Sequence, residues 1–290
     1  MANLLSLLQD PPPDYIFELS EGGIAYVRPG ASQPEFVSLE PGVIVPSPMT
    51  DNILKADVLA DKVRALTGGA GRKRGRAVLI LPDYCARVAV LEFDSFPTDP
   101  KEQLSLVRFR MKRSVPFDVE SAVVSFHTQG GKGKAQEVVV VAAALEIIAR
   151  YEAPFRAAGL HPGLVTSSAM AMVDLERRPD ISVLARLSGR ILTVVVQHAN
   201  AIKLVRTVEL ADLTREEIEA VLFPTMAFVE DQLQTKPARV LFCGIDTEGW
   251  QEQLGGTVDV LRSRFGTPNQ YNAGLHGYLQ STSISAGAAA

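Results

Sequence analysis

The chain has 290 residues, enough for one large domain or two of ordinary size around a real core. Apolar residues make up 47% and charged residues 21%, a balance that excludes general disorder. The net charge of −4 gives no global attraction to nucleic acid, and two cysteines, Cys85 and Cys243, make no disulfide framework and fit a reducing cytoplasm.

The opening MANLLSLLQDPPPD is too short and too uncharged for a secretory signal. Its LLSLL reads as a short packed helix or a frayed end ahead of an amphipathic anchor. YIFELSEGGIAYVRPG, from Tyr15 to Gly30, predicts two strands around Ser20-Glu21-Gly22-Gly23. Such a glycine-rich turn either holds phosphate or is only a hairpin. FVSLE and GVIVPS are extended, and NILKADVLADKVRALTGG is a helix with Leu54, Val58, Val63 and Leu66 on one side and Gly68 as its stop. GGAGRKRGR lacks the ending of a phosphate-binding P-loop and precedes a strand, so it reads as a solvated loop.

AVLILP and RVAVLEFDSFP are strands. The next helix is capped by Asp99, with Pro100 first and Glu102 completing a capping box. Leu104, Val107 and Met111 form its buried stripe; Lys101, Arg108 and Lys112 form a basic face for solvent, anionic lipid or an acidic peptide. SVPFDVESAVVSFHTQ, GGKGK and EVVVVAAAL give strand, turn and strand. EIIARYEAPFRAAGL is a helix kinked at Pro154 and stopped at Gly159, and SSAMAMVDLERR is another. SVLARLSGRILTVVVQHANAIKLVRTVEL then repeats the outline of residues 15 to 39. A long helix, TREEIEAVLFPTMAFVEDQLQ, is interrupted by Pro224; its Phe223 and Phe228, with Val240 and Phe242 of ARVLFCG, are expected in the core. A helix near TEGWQEQLGG, the strand TVDVL and the helix YNAGLHGYLQ close the chain before a tail, STSISAGAAA, expected to be disordered.

Two halves that each open with strands and continue into helices predict a duplicated α/β protein. No apolar run approaches the roughly 20 residues of a membrane span. His127, His161, His198 and His276 stand apart from other metal-ligand types, Gly-x-Ser-x-Gly is absent, and the Glu216–Glu217 pair reads as solvated.

AVLILPDYCARVAVLEFDSFP, MKRSVPFDVESAVVSFH and EVVVVAAALEIIARYEAPFRAAGLHPGLVTSSAMAM together resemble the PilM family of type IV pilus assembly proteins, in the FtsA-like branch of the actin-like ATPase fold. The family's Leu-Pro, Pro-Phe and Ala-Gly-Leu-x-Pro stand at Leu81-Pro82, Pro116-Phe117 and Ala158 to Pro162, and the likeness spans most of residues 13 to 280. It implies two ribonuclease-H-like halves, an inserted α+β subdomain and a reduced second-half subdomain. The boundaries expected are 13–76 and 146–180 for the first half, 77–145 for the insertion, 181–280 for the second half and 281–290 for the tail.

In that family ATP lies between the halves, each offering a hairpin with an aspartate and small residues. Here the first hairpin maps onto Glu18-Leu19-Ser20, ahead of Gly22 and Gly23. The second maps onto Arg186-Leu187-Ser188, ahead of Gly189, with a base where the acid is expected. Of the adenosine-side glycines only Gly244 is in register, and ADL is nearly all that separates Leu210 from Thr214, where a subdomain usually walls the cleft. The resemblance thus implies a degenerate nucleotide cleft, no cofactor and no ATP hydrolysis; ATP with Mg is the alternative. It implies a scaffold of a type IV pilus or related secretion platform, cytoplasmic and peripheral to the inner membrane. The partner implied is the tail of a single-pass, PilN-like protein, lying on the inserted sheet, with Arg108 and Lys112 receiving its acidic residues. An active actin-like ATPase or small-molecule kinase, and the cytoplasmic part of a type II secretion L-type component, are the alternatives. Nucleic acid is not expected as a partner, and a homo-oligomer is left open.

Overall fold

The computed structural model describes residues 13–28, 31, 33–68, 75–130, 135–254 and 256–288, with side chains to residue 282. LLSLL, most of GGAGRKRGR and most of GGKGK lie outside these residues.

The first sheet contains β1 (Tyr15–Ser20), β2 (Gly23–Val27), β3 (Glu35–Ser38), β4 (Gly75–Leu81) and β8 (Leu160–Ser167), in the order β3-β2-β1-β4-β8. β1 to β3 form an antiparallel meander; β4 runs parallel to both β1 and β8. Strands buried on both faces carry unbroken apolar runs, and Ala77 to Leu81 is one. Phe17, Leu79 and Leu81 face α1 (Ala56–Thr67) and α3 (Leu145–Ala157), packing on Leu59, Val63, Tyr151 and Phe155. Ile16, Val78 and Ile80 face the other side, against α4 (Ser168–Met172) and α7 (Ala273–Ala288).

This pairing corrects one boundary. β4, the AVLILP strand, was expected in the insertion at 77–145. It is instead a central strand of the first half. The inserted sheet has three strands, β5 (Arg87–Phe93), β6 (Ala122–Gly130) and β7 (Gln136–Ala144), in the order β5-β7-β6. Its helix α2 (Pro100–Met111) starts as expected, with the Asp99 carboxylate accepting from the N–H groups of Lys101 and Glu102. The return segment 146–180 also contains β8, which the turn-like Gly159 and Pro162 hide in the sequence.

The second sheet contains β9 (Ser182–Ser188), β10 (Ile191–His198), β11 (Ala201–Glu209), β12 (Arg239–Cys243) and β13 (Thr257–Val260). Its order, β11-β10-β9-β12-β13, repeats the first sheet strand for strand: an antiparallel meander whose first strand pairs in parallel with a later one. The duplication is therefore structural. α5 (Arg215–Leu233) runs continuously through Pro224, and α6 (Gln251–Leu254) is a single turn. Val240 and Phe242 are fully buried, whereas Phe223 is 44% exposed. Phe223 lies beside the buried stripe of Ile218, Val221, Leu222, Thr225 and Val229 rather than on it. α7 packs on α4 and β1, so Leu275 and Tyr278 belong physically to the first half's core, while Ala273 packs with Leu184 and Leu241 of the second. The tail expected to be disordered continues this helix to Ala288. Ser281 and Thr282 return their hydroxyls to the Tyr278 carbonyl, which keeps small polar residues compatible with helix. Residues 289 and 290 lie outside the described residues.

Candidate functional site: two clefts

β1 is central in its sheet, so its side chains are enclosed on both faces, including the carboxylate of Glu18 at 0% exposure. β9 occupies the matching place in the second half and brings Arg186 to the same point, 3% exposed. The guanidinium stands between two carboxylates. Arg186 Nη2 donates to Glu18 Oε1 at 3.2 Å, and Nη1 donates to Asp83 Oδ2 at 3.1 Å. Nη2 also donates to the Gln270 carbonyl at 2.7 Å. Glu18 accepts in addition from the Ser168 hydroxyl and from the Leu275 N–H, the latter at 2.7 Å. Asp83 accepts from the Ala169 N–H at 2.6 Å. One side chain of the second half thus ties down β1 and the turn after β4 in the first, and both helices between the halves supply donors.

Burial pushes the Glu18 carboxyl up, with Arg186, Ser168 and the Leu275 N–H opposing it. Burial by itself would lower Arg186, but Glu18 and Asp83 more than reverse this and hold the guanidinium charged. Nearby Cys243 is pushed up to about 12 by burial, which leaves a protonated, inert thiol.

The other hairpin residues are engaged by the protein itself. Ser20 Oγ donates to the Gly23 carbonyl at 3.0 Å and accepts from the Gly23 N–H at 3.2 Å, closing its own turn. Gly22 lies under the Tyr271 ring, which stacks on Phe36 at 5.3 Å between centroids. A Cβ at Gly23 would meet the Val37 carbonyl in the neighbouring strand. Gly189 takes a left-handed φ of +55°, and a Cβ there would fall on the Glu21 carboxylate from the opposite hairpin. Gly244, at φ +73°, is pressed against the Leu187 carbonyl. The space left beside Ser20, Pro82, Asp83, Arg186 and Ser188 is about 10 Å³, room for roughly one water.

So the structure unites Glu18 and Arg186 and sets Ser20, Gly22, Gly23, Ser188, Gly189 and Gly244 around them. Asp83, Ser168 and the Gln270 carbonyl were not anticipated. Asp83 carried a signal: it follows Leu81-Pro82 at the carboxyl end of a doubly buried parallel strand, where α/β sheets place their sites.

A second cleft lies along the inserted sheet. Side chains alternate across β7: Val138, Val140 and Ala142 pack under Val107 and Met111 of α2, while Val139, Val141 and Ala143 face the opposite way. That opposite face forms one wall of a cavity of about 350 Å³, and Ile148, Leu164, Val165 and Met170 belong to the other. Its lining holds no Asp, Glu, Lys or Arg. Val123 and Leu164 on the lining are 42% and 44% exposed. β6 and β8 are terminal strands of their sheets, and each leaves one backbone edge without a strand partner among the described residues. At one end Gln129 clasps the β11 backbone, its amide donating to the Ile202 carbonyl at 2.7 Å and accepting from the Ile202 N–H at 2.6 Å.

Arg108 is on α2 and Lys112 is its C-cap, across the inserted sheet from this cleft, and neither lines it. Arg108 donates to the Ala122 carbonyl at 3.3 Å and lies 3.8 Å from Glu120. The expected pairing of these two residues with a tail on the open sheet face is therefore corrected: the sheet stands between them and that face.

No family model matches the sequence, and no curated protein matches it. Solved structures do. The structure of a PilM-PilN type IV pilus biogenesis complex matches over 93% of this chain and 99% of the other, at 16% identity and a TM-score of 0.69. A Bacteroides thetaiotaomicron protein, described as having an actin-like ATPase fold and unknown function, matches over 86% of this chain and 91% of its own. Its identity is 9% and its TM-score 0.54. The chain has an actin-like fold, similar to that of PilM.

In this actin-like frame the duplicated sheets are the two halves, and Arg186 bridges them. The three-stranded sheet with α2 is the inserted α+β subdomain, and only residues 210–214 link β11 to α5. Among the described residues no helix is long and apolar enough to cross a membrane, and no group of three or more His, Cys, Asp and Glu could hold a metal ion.

Proposed function

We propose that this protein is a scaffold of a type IV pilus or related secretion platform, which holds the cytoplasmic tail of a single-pass inner-membrane protein and does not hydrolyse ATP. One observation carries the reading: a guanidinium closes the cleft between the halves, while the apolar cleft along the inserted sheet stays open. Mg with ATP does not fit the first cleft. Its two carboxylates already share a cation within 3.2 Å, its glycines are pressed against protein atoms, and about 10 Å³ remains. The second cleft suits an extended, uncharged segment. Such a tail would draw affinity from backbone hydrogen bonds to an unpaired strand edge and specificity from apolar side chains entering the cavity. The likeness to PilM, solved with PilN, supports a partner of PilN type and a place on the cytoplasmic face of the inner membrane.

The test titrates labelled synthetic peptides from the cytoplasmic ends of candidate single-pass partners against the protein and its Val123→Glu variant. Val123 is 42% exposed on the cleft lining, so a charge there disturbs the cleft and not the core. Binding to the wild type, weakened at least tenfold in the variant, is expected. Mg-ATP is expected to give no phosphate release and no melting shift, whereas a ligand at 100 times its Kd would add about 2.7 kcal/mol. Magnesium-dependent turnover that disappears in Glu18→Ala overturns the proposal.

A further inference from the structure

The cleft leaves the other side of the inserted subdomain unexplained. α2 buries Val107 and Met111 against the sheet, so its apolar requirement is met from within. Yet Phe109, on the same helix, is 73% exposed. Lys112, the C-cap residue, keeps helical backbone three residues on and so lies one turn from Phe109, with Arg110 and Arg113 flanking in sequence; all three cations are exposed.

Their charges are little compensated. Neither Arg110, Lys112 nor Arg113 makes an ion pair with a carboxylate among the described residues; Arg110 donates to the Glu92 carbonyl at 3.3 Å and lies 5.1 Å from the centroid of the Phe93 ring. Asp118 is the carboxylate close enough to feel Lys112: its proton affinity is lowered first by the Glu120 N–H, with Lys112 contributing. Glu120 is turned to Arg108 at 3.8 Å. An exposed aromatic ring with three exposed cations within four residues of it, on a chain of net charge −4, is a local feature and not an expression of composition.

The shape decides the kind of partner. Phe109 projects from the outward face of a helix and lines none of the cavities described above, so nothing there receives a matching side chain. A projecting aromatic among basic residues suits an interface that yields, where the ring enters the boundary region and the cations stay over anionic headgroups. We propose that the C-terminal end of α2 and the turn after it rest on an anionic lipid surface through Phe109, Arg110, Lys112 and Arg113. The patch stands on its own observations. It agrees with a tail-holding scaffold at the inner membrane but involves none of the cleft residues.

The full chain is sedimented with vesicles of phosphatidylcholine alone and with vesicles containing about 30% of the anionic lipid phosphatidylglycerol, whose negative surface potential attracts basic residues. Binding is expected to the anionic vesicles only, and to fall steeply when salt shortens the screening length. The Arg110→Glu/Lys112→Glu/Arg113→Glu variant should bind at least about a hundredfold more weakly, since each near-surface cation contributes roughly fivefold. Phe109→Ser should weaken binding while raising its salt sensitivity, and Phe109→Trp should show a blue-shifted emission on anionic vesicles. All four positions are exposed, so melting temperatures should match the wild type. Absence of binding to anionic vesicles overturns the proposal, as does binding that the triple variant retains, or binding only to an acidic peptide. Val123→Glu should leave vesicle binding intact, so failure here and failure of the tail-holding reading are separately visible.

Discussion

Arg186→Ala removes the cation and leaves Glu18 and Asp83 buried without it. Breaking a buried pair by deleting one partner costs about 3–5 kcal/mol, because an uncompensated charge stays in a low-dielectric site. Unfolding entropy of about 2.1 cal/mol/K per residue gives about 0.6 kcal/mol/K for 290 residues, so the melting temperature should fall by about 5–8 °C. The loss should also be local. The N–H groups of Ala169 and Leu275 donate to the two carboxylates, so their hydrogen exchange should accelerate before that of the sheet interiors. Neutralising the whole cluster, as Arg186→Met with Glu18→Gln and Asp83→Asn, should recover part of the loss, since no uncompensated charge is then left buried. Arg177→Ala, which breaks an ion pair with Asp174 at the surface, is the control and should shift melting by less than about 2 °C. If Arg186→Ala melts within 1 °C of the wild type, roughly the resolution of the assay against this entropy, Arg186 does not hold the halves together.

Phe242→Ala should cost about 3–5 kcal/mol, because the ring is fully buried and meets Trp250 edge-on at 5.4 Å, while Phe223→Ala, at an exposed site, should change stability by less than about 0.5 kcal/mol. Chemical denaturation of both variants checks the pair, and equal effects would place α5 wrongly on its sheet. His276 is buried, with Nδ1 at 2.7 Å from Ser263 Oγ, and burial holds its proton affinity below the ordinary histidine value. As pH falls below about 6.5 the unfolded chain takes up this proton and the folded one resists it, so stability is lost on acidification. Melting curves from pH 7.5 to 5.5, the range around the histidine value, should show a steeper loss for the wild type than for His276→Gln; parallel slopes would remove His276 from the account.

What the sequence disclosed was local. Asp99, Pro100 and Glu102 announced α2 because a cap acts within one turn, and Gly68 ended α1 in the left-handed conformation expected of it. The meander of residues 182–209 showed its likeness to residues 15–38 because both are built of adjacent antiparallel strands. β4 was misplaced for the opposite reason. Parallel pairing with Tyr15–Glu18 and with Leu160–Ser167 is a property of partners far away in the chain. The unbroken run AVLIL held the clue that both its faces are covered. The expectation for Phe223 failed because residue type stood in for position on the helix. Its neighbour Leu222 is fully buried, and a step of one residue turns a helix by about 100°, enough to separate core from solvent.

The site shows the same division. Arg186 read as a lost acid, which is a statement about one position. Its partners are 168 and 103 residues away, and only folding reveals that the substituted base meets two carboxylates. That meeting changes the meaning of the substitution. A base in place of an acid, taken singly, weakens a metal site. A base held between Glu18 and Asp83 instead supplies, from within the chain, the positive charge those carboxylates require. The two halves are then joined through the chain's own charges. The inserted sheet is fixed to the second half by the Gln129 clasp on Ile202 and by Lys203 and Glu137 at 2.5 Å. With both joints made by side chains, the walls of the apolar cleft are set in advance of any occupant. An occupant would bear little of the cost of ordering them.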